Sequence, residues 1–126
     1  MNTNCYCGLT SAFELCCKPV LKGLKKATTA EQLMRSRYTA FATLAADYLV
    51  ATTHTSERGY HDRSAILHWA TSNQWLKLEI LKATNNIVEF KAHYLDHNKT
   101  PQVHHELSTF VFEEGAWFYV DGTFFS

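Results

Sequence analysis

An α+β domain is predicted, with helices gathered on one face of a four-stranded antiparallel sheet and a small zinc module in front of it. Three observations carry this. All four cysteines lie within residues 5–17, as Cys5-x-Cys7-Gly8 followed by Cys16-Cys17. Apolar residues recur at helical spacing from about residue 30 to Trp69. After Asn73 the apolar period changes to two, in four segments separated by turn residues.

The cysteine cluster suits one tetrahedral ion. Four thiolates close a structural zinc site and leave no open position for a substrate. Cys5, Cys7, Cys16 and Cys17 are the expected ligands of a single Zn2+, and Gly8 suits the tight turn that aims backbone amides at the sulfurs. A disulfide reading is weaker. The start Met-Asn-Thr-Asn has no secretory character, so a reducing, cytoplasmic setting is expected. A bridge between adjacent Cys16 and Cys17 would be strained. Iron–sulfur ligation is a second use of four thiolates, but the spacing matches neither common ferredoxin run. Four clustered free thiols are the bland alternative.

The 126 residues leave room for one compact domain plus a small appendage, and 46% hydrophobic residues suffice for a core. The spacing places the zinc module and a basic linker at 1–26 and the helix-plus-sheet domain at 27–126. Pro19 and Gly23 punctuate the linker. Net charge is zero but polarised. Residues 1–37 carry a balance of +4 and residues 38–126 a balance of −4. An acidic partner would therefore meet the zinc end, unless the lysines only keep a linker solvated.

The elements follow in order. Thr28 with Glu31, or Thr29 with Gln32, can cap a helix over about 30–44. Leu33, Tyr38, Phe41 and Leu44 fall on its core side. Asp47 starts a short second helix to about Thr53, and Asp62 or Ser64 caps a third that carries Ile66, Leu67 and Trp69. The first strand runs from Trp75 to Ala83, with Leu76, Leu78 and Ile80 on one face. Asn85-Asn86 turns into a second strand over Val88 to Tyr94, and a polar loop leads to a third over Val103 to Phe112. Glu114-Gly115 turns into a fourth over Trp117 to Val120. Tyr38, Phe41, Phe90, Phe110 and Trp117 are expected in the core.

These residues resemble known families. Cys5-x-Cys7-Gly8…Cys16-Cys17 resembles the SEC-C zinc motif, also seen at the tail of the SecA preprotein translocase motor. Tyr6 stands where that motif usually has Pro, and Leu9-Thr10 replaces its Gly-Ser-Gly, while all four ligand positions are kept. The string Ala30-Glu31-Gln32-Leu33-Met34-Arg35-Ser36-Arg37-Tyr38-Thr39-Ala40-Phe41 resembles the YchJ-like family of small bacterial proteins. So do Asp47-Tyr48-Leu49 with Thr52 and His54, His105-Glu106-x-Ser108-x-Phe110, and Gly115-x-Trp117-x-Tyr119-x-Asp121-Gly122. The resemblance implies a fold similar to nuclear transport factor 2, in which three helices pack into a curved sheet to make a cone. It implies no particular reaction.

An open cone can host a pocket of apolar walls with a few polar groups. Tyr48, His54, Trp75, Glu106 and Asp121 are the candidate ligand residues, with Thr52, His105, Trp117 and Tyr119 behind them. Each has a structural alternative. Trp117 and Tyr119 can simply pack on the helices. Glu106 can accept from Arg35 or Arg37 across the seam. Asp121 before Gly122 can serve a turn after the last strand. A second metal site is disfavoured: His104 and His105 alternate in a strand, and His61 and His68 lie two turns apart on a helix. No nucleophile elbow, phosphate loop or dinucleotide fingerprint occurs, so no catalytic residue is assigned. Lys18, Lys22, Lys25 and Lys26 could meet nucleic-acid phosphates, but the acidic body and near-neutral pI argue against it. No run reaches membrane-span length. The preferred expectation is a non-catalytic adaptor whose zinc module docks a protein partner. Second comes a small-molecule binder or enzyme using the cone, and third a nucleic-acid accessory factor.

Overall fold

The computed structural model describes residues 4–60 and 62–125. A 3₁₀ turn, Phe13–Leu15, leads into helix α1, Cys17–Leu21. Helices α2 (Ala30–Thr43), α3 (Ala46–Ala51) and α4 (Arg63–Ser72) follow, with a 3₁₀ turn at Arg58–Tyr60. Strands β1 (Gln74–Ala83), β2 (Ile87–Leu95), β3 (Pro101–Glu113) and β4 (Ala116–Phe125) complete the chain. They form one antiparallel meander in the order β1-β2-β3-β4.

The helix boundaries follow from caps. Thr29 accepts the Gln32 amide at 3.0 Å, and Gln32 reaches back to the Thr28 amide at 2.6 Å. Asp62, rather than Ser64, caps α4 by accepting the Ala65 amide. The segment read as linker begins as α1, with Pro19 in the first turn, where a missing N–H is tolerated. Leu44, expected in the core, is exposed instead. It ends α2 in the left-handed conformation, φ 64°, which swings its side chain off the helix face.

The sheet is bent by bulges. Register shifts in β1 fall at Leu76 and Leu81, and one in β4 falls at Val120. A bulged residue is extra to the ladder and loses the alternation of its neighbours. Leu76, expected beside Leu78 and Ile80, is therefore 50% exposed, while Trp75, Leu78 and Ile80 pack on the core. The β3–β4 turn has positive φ at both Glu114 and Gly115, the geometry that matches strand twist in a tight hairpin. The fourth strand continues beyond Val120 to Phe125, so Asp121-Gly122 lies within it and serves no turn.

Leu33, Met34 and Tyr38 of α2 pack on Leu78, Val88, Phe90 and Phe110 of the sheet. Tyr38, Phe90 and Phe110 are buried as expected; Phe41 and Trp117 are only half-buried. After α3 the chain runs along β4. The His54 amide donates to the Tyr119 carbonyl and the Tyr119 amide to the Thr52 carbonyl, at 2.8 and 2.7 Å. That seam brings α2, the α3 C-terminus and β4 together around Arg37.

Candidate functional site

The four cysteine sulfurs lie within 4.8 Å of one another. A Zn–S bond of about 2.3 Å gives a tetrahedron with edges of about 3.8 Å, and Cys7 Sγ stands 3.7 Å from Cys16 Sγ. The donor set and its size therefore fit one tetrahedral metal ion. The local fold explains the convergence. Gly8, at φ 95°, reverses the chain after Cys7, and the Cys5 amide donates to the Ser11 carbonyl. The 3₁₀ turn then delivers Cys16 and Cys17 to the same point. Cys5, Cys7 and Cys17 are buried, and Cys16 is half-exposed. Protons and sulfurs compete for this space. Hydrogen bonds, first from Cys17, pull Cys7 down to about 5; burial and the Cys7 charge push Cys16 up to about 12. Cys17 is also pushed up, first by its hydrogen bond to Cys7. A bound cation would take the place of those shared protons, with the four cysteines as its ligands. The module is fastened to α2 through Arg35, which donates to the Cys7 carbonyl at 2.6 Å and to Glu31 at 2.9 Å.

A second feature lies inside the cone. A cavity of about 180 Å3 opens between α2, α4 and the sheet. Phe41, Trp69, Trp75, Phe90 and Phe124 form its wall. Trp75 meets Phe41, Trp69 and Tyr94 ring to ring, at 5.6, 6.0 and 5.2 Å between centroids. Its polar side is built on Glu106, only 5% exposed. Glu106 Oε1 is bonded to His104 Nε2 at 2.7 Å. Oε2 accepts from the Ser108 and Tyr119 hydroxyls at 2.6 and 2.8 Å. Burial alone would raise this carboxyl, but the three partners outweigh it and hold it below the usual carboxylate range. Burial and the neighbouring carboxylate push the Tyr119 hydroxyl up, so it stays a donor.

Arg37 sits across the Tyr119 ring, its guanidinium carbon 4.6 Å from the centroid. It donates to the Leu49 carbonyl, Thr52 Oγ1 and Thr53 Oγ1 at 2.9, 2.7 and 3.3 Å. Burial pulls it down to about 10, so it remains cationic at neutral pH.

The family model described as "YchJ, middle NTF2-like domain" matches residues 29–122. The chain belongs to the YchJ family. A YchJ-family relative, a UPF0225 protein of Geobacter sulfurreducens, is 40% identical over 129 aligned positions, covering 97% of this chain and 80% of that one. UPF0225 protein YchJ of Shigella dysenteriae serotype 1 is 37% identical, with 98% and 84% covered. Two solved structures are similar over 98% of this chain. The SEC-C motif containing protein from Rhodopseudomonas palustris gives a TM-score of 0.89 at 33% identity, covering 100% of that chain. The one from Psychrobacter arcticus gives 0.82 at 32%, covering 84%. These likenesses bear out the expected family, the α+β fold and a SEC-C cysteine cluster. No helix among the described residues is long and apolar enough to cross a membrane.

Within this YchJ-family cone, the candidate pocket residues separate. Trp75 and Glu106 line the cavity. Tyr48 turns away, its hydroxyl 2.6 Å from Ser36 Oγ in the α2–α3 seam. His54 meets Ser56 and Glu113 at 2.8 and 3.0 Å, outside the cavity. Asp121 is exposed opposite Thr109. Neither Arg35 nor Arg37 hydrogen-bonds Glu106: Arg35 is drawn to the metal module, and Arg37 to the α3 C-terminus. His105 pairs with Glu89 at 2.7 Å on the other face. His61 lies outside the described residues. Sequence reasoning weighed His104 and Arg37 in other roles and did not place them among the pocket residues. The parity that turns His105 away from Glu106 places His104 beside it, two residues along the same face. Arg37 follows Leu33 by four and is flanked by Met34 and Tyr38, so it was a charge set in an apolar stripe.

Proposed function

We propose that this chain is a zinc-containing adaptor whose metal module docks an acidic protein partner. The zinc is structural: the four thiolates saturate it, and its work is to hold residues 5–17 as a rigid platform on α2. What supports docking is the surface beside the cluster. Leu15 and Leu24 are 77% and 80% exposed, and Lys18, Lys22, Lys25 and Lys26 around them are exposed too. A groove of about 300 Å3 runs between the module and the first turns of α2, bounded by Leu9, Cys16, Val20, Gln32 and Arg35. Exposed apolar side chains interspersed with cations along the chain fit a partner segment that carries apolar anchors among carboxylates, with the charges steering encounter and the anchors giving affinity. No membrane or nucleic-acid partner is assigned, because the Lys cluster is interleaved with leucines and the body is acidic.

The test begins with metal analysis of protein purified without added zinc, expected at one zinc per chain. The metal-loaded chain is then used to capture partners. A protein retained in stoichiometric amount is purified and titrated against the wild type, against Leu15→Ser/Leu24→Ser, and against Cys16→Ser. The proposal requires binding that weakens at least tenfold in both variants. Substoichiometric zinc, or binding indifferent to both variants, overturns it.

A further inference from the structure

We infer that the cone cavity is a binding site for a small, neutral, planar molecule of about one substituted ring, whose carbonyl oxygen accepts a hydrogen bond from the Tyr38 hydroxyl. This goes beyond docking at the metal module and does not depend on it.

Tyr38 carries the inference. It lines the cavity and is 3% exposed. Buried tyrosines usually give their hydroxyl a partner, yet the Tyr38 hydroxyl bonds no described residue, while Tyr48 and Tyr119 bond Ser36 and Glu106. Among the described residues, no side-chain oxygen or nitrogen fully shut from solvent lacks a partner. The Tyr38 oxygen therefore keeps some access to space outside the packed core, and the cavity is the space that Tyr38 lines. Burial raises this phenol to about 12, so it is a neutral donor.

The rest of the cavity selects the ligand. Its two fixed charges cancel across one ring: Tyr119 bonds Glu106 with its hydroxyl and carries Arg37 on its face. No net fixed charge draws in an ion. Glu106 already holds three partners, and His104 spends Nε2 on it. The walls are aromatic, with Trp75 and Trp69 placed for edge or offset contact with a flat guest. The volume of about 180 Å3 is close to the roughly 150 Å3 of an apolar cavity that holds benzene. One ring with a short polar arm fits; a fused multi-ring skeleton does not. An acceptor on that arm meets the Tyr38 hydroxyl, a buried donor with no partner among the described residues. This is the pattern of small-molecule sites, where mostly apolar walls leave orientation to a few placed polar groups.

Acetophenone and ethylbenzene are matched probes, alike in ring and length and differing in the carbonyl. Each is titrated into the 15N-labelled full chain while the indole N–H signals of Trp69 and Trp75 are followed. Acetophenone is expected to shift both signals and to bind about fivefold tighter than ethylbenzene, the worth of one net hydrogen bond. In Tyr38→Phe, which keeps the ring, that preference should vanish. The carbonyl stretch of acetophenone bound to wild type should also move to lower wavenumber, a readout that needs no variant. Probes that leave the indole signals unmoved at millimolar concentration overturn the inference. So does a preference that survives in Tyr38→Phe, or a carbonyl band unshifted on binding.

Discussion

Glu106 of β3 lies against the bare backbone of Gly122 of β4. A Cβ built on Gly122 would overlap Glu106 Oε2 and stand 2.6 Å from its Cδ. Gly122 has no turn to make, so the missing side chain serves close approach. It lets the carboxylate lie flat on β4, where Ser108 and Tyr119 reach it. Gly122→Ala should expel Glu106, leave those hydroxyls without their acceptor, and cost about 2–4 kcal/mol in denaturant unfolding. In a Glu106→Ala background the same change should cost under about 1 kcal/mol, because nothing is left to displace. Equal costs in the two backgrounds would show that Gly122 serves some other contact.

Glu106 itself should make stability depend on acid. Its folded carboxyl lies below the ordinary value of 4.5, so the folded state favours the ionised form. The contribution is fully present above about pH 4.5 and is lost as pH falls through the lower folded value. Glu106→Gln keeps an acceptor but loses the charge, and should cost roughly 1–3 kcal/mol at pH 7. Melts from pH 7 to pH 3 should show the gap between wild type and variant closing in the acid range. A gap that stays constant to pH 3 would mean the carboxyl is not held ionised by its partners.

The metal module should be separable from the cone. Its sulfurs are held by a few short turns and by polar contacts with Arg35 and Thr39 of α2, and a segment this small keeps no core without its ion. Chelation, or Cys16→Ser, should unfold roughly the first 20 residues and leave the helix–sheet body folded. Hydrogen exchange reads this directly: amides of residues 5–21 lose protection, while those of β2 and β3 keep theirs. Loss of protection in both regions would show instead that the module is part of the core. Arg35→Ala, which removes the link to the Cys7 carbonyl, should leave zinc stoichiometry at one and loosen only the seam with α2.

What the sequence made legible was local. The cysteine spacing sits within one short segment, so the ligand set needed no knowledge of the fold. The meander was readable because each strand carries its own alternation. What escaped depended on neighbours far along the chain. Nothing near Leu76 marks a bulge, since the extra residue is defined by the partner strand β2. Gly122 reads as a turn glycine after the last strand, until β4 runs on through it and β3 places Glu106 over it. Tyr38 reads as core by periodicity, and is core; that its hydroxyl meets no partner among the described residues appears only once the fold is assembled around it. His104 and Arg37 differ from these, for strand parity and helical spacing each placed them.

The two phenylalanines expected in the core should separate in energy. Phe110 is fully buried and meets Tyr119 edge to face at 5.8 Å. Phe41 is half-buried, with its ring on Trp75 and one side on the cavity. Truncating a packed core ring loses both its transfer free energy and the contacts across the void it leaves, so Phe110→Ala should cost about 3–5 kcal/mol. At Phe41 much of the surface is already open, and removing the ring enlarges an existing cavity instead of creating one. Phe41→Ala should cost about 1–2 kcal/mol by that reasoning. Its clearer signature should be a displaced Trp75 indole N–H signal, because the ring packed beside Trp75 is gone while its bond to the Ala70 carbonyl at 3.2 Å remains. Equal losses for the two variants would place Phe41 in the closed core and deny the cavity its open wall at α2.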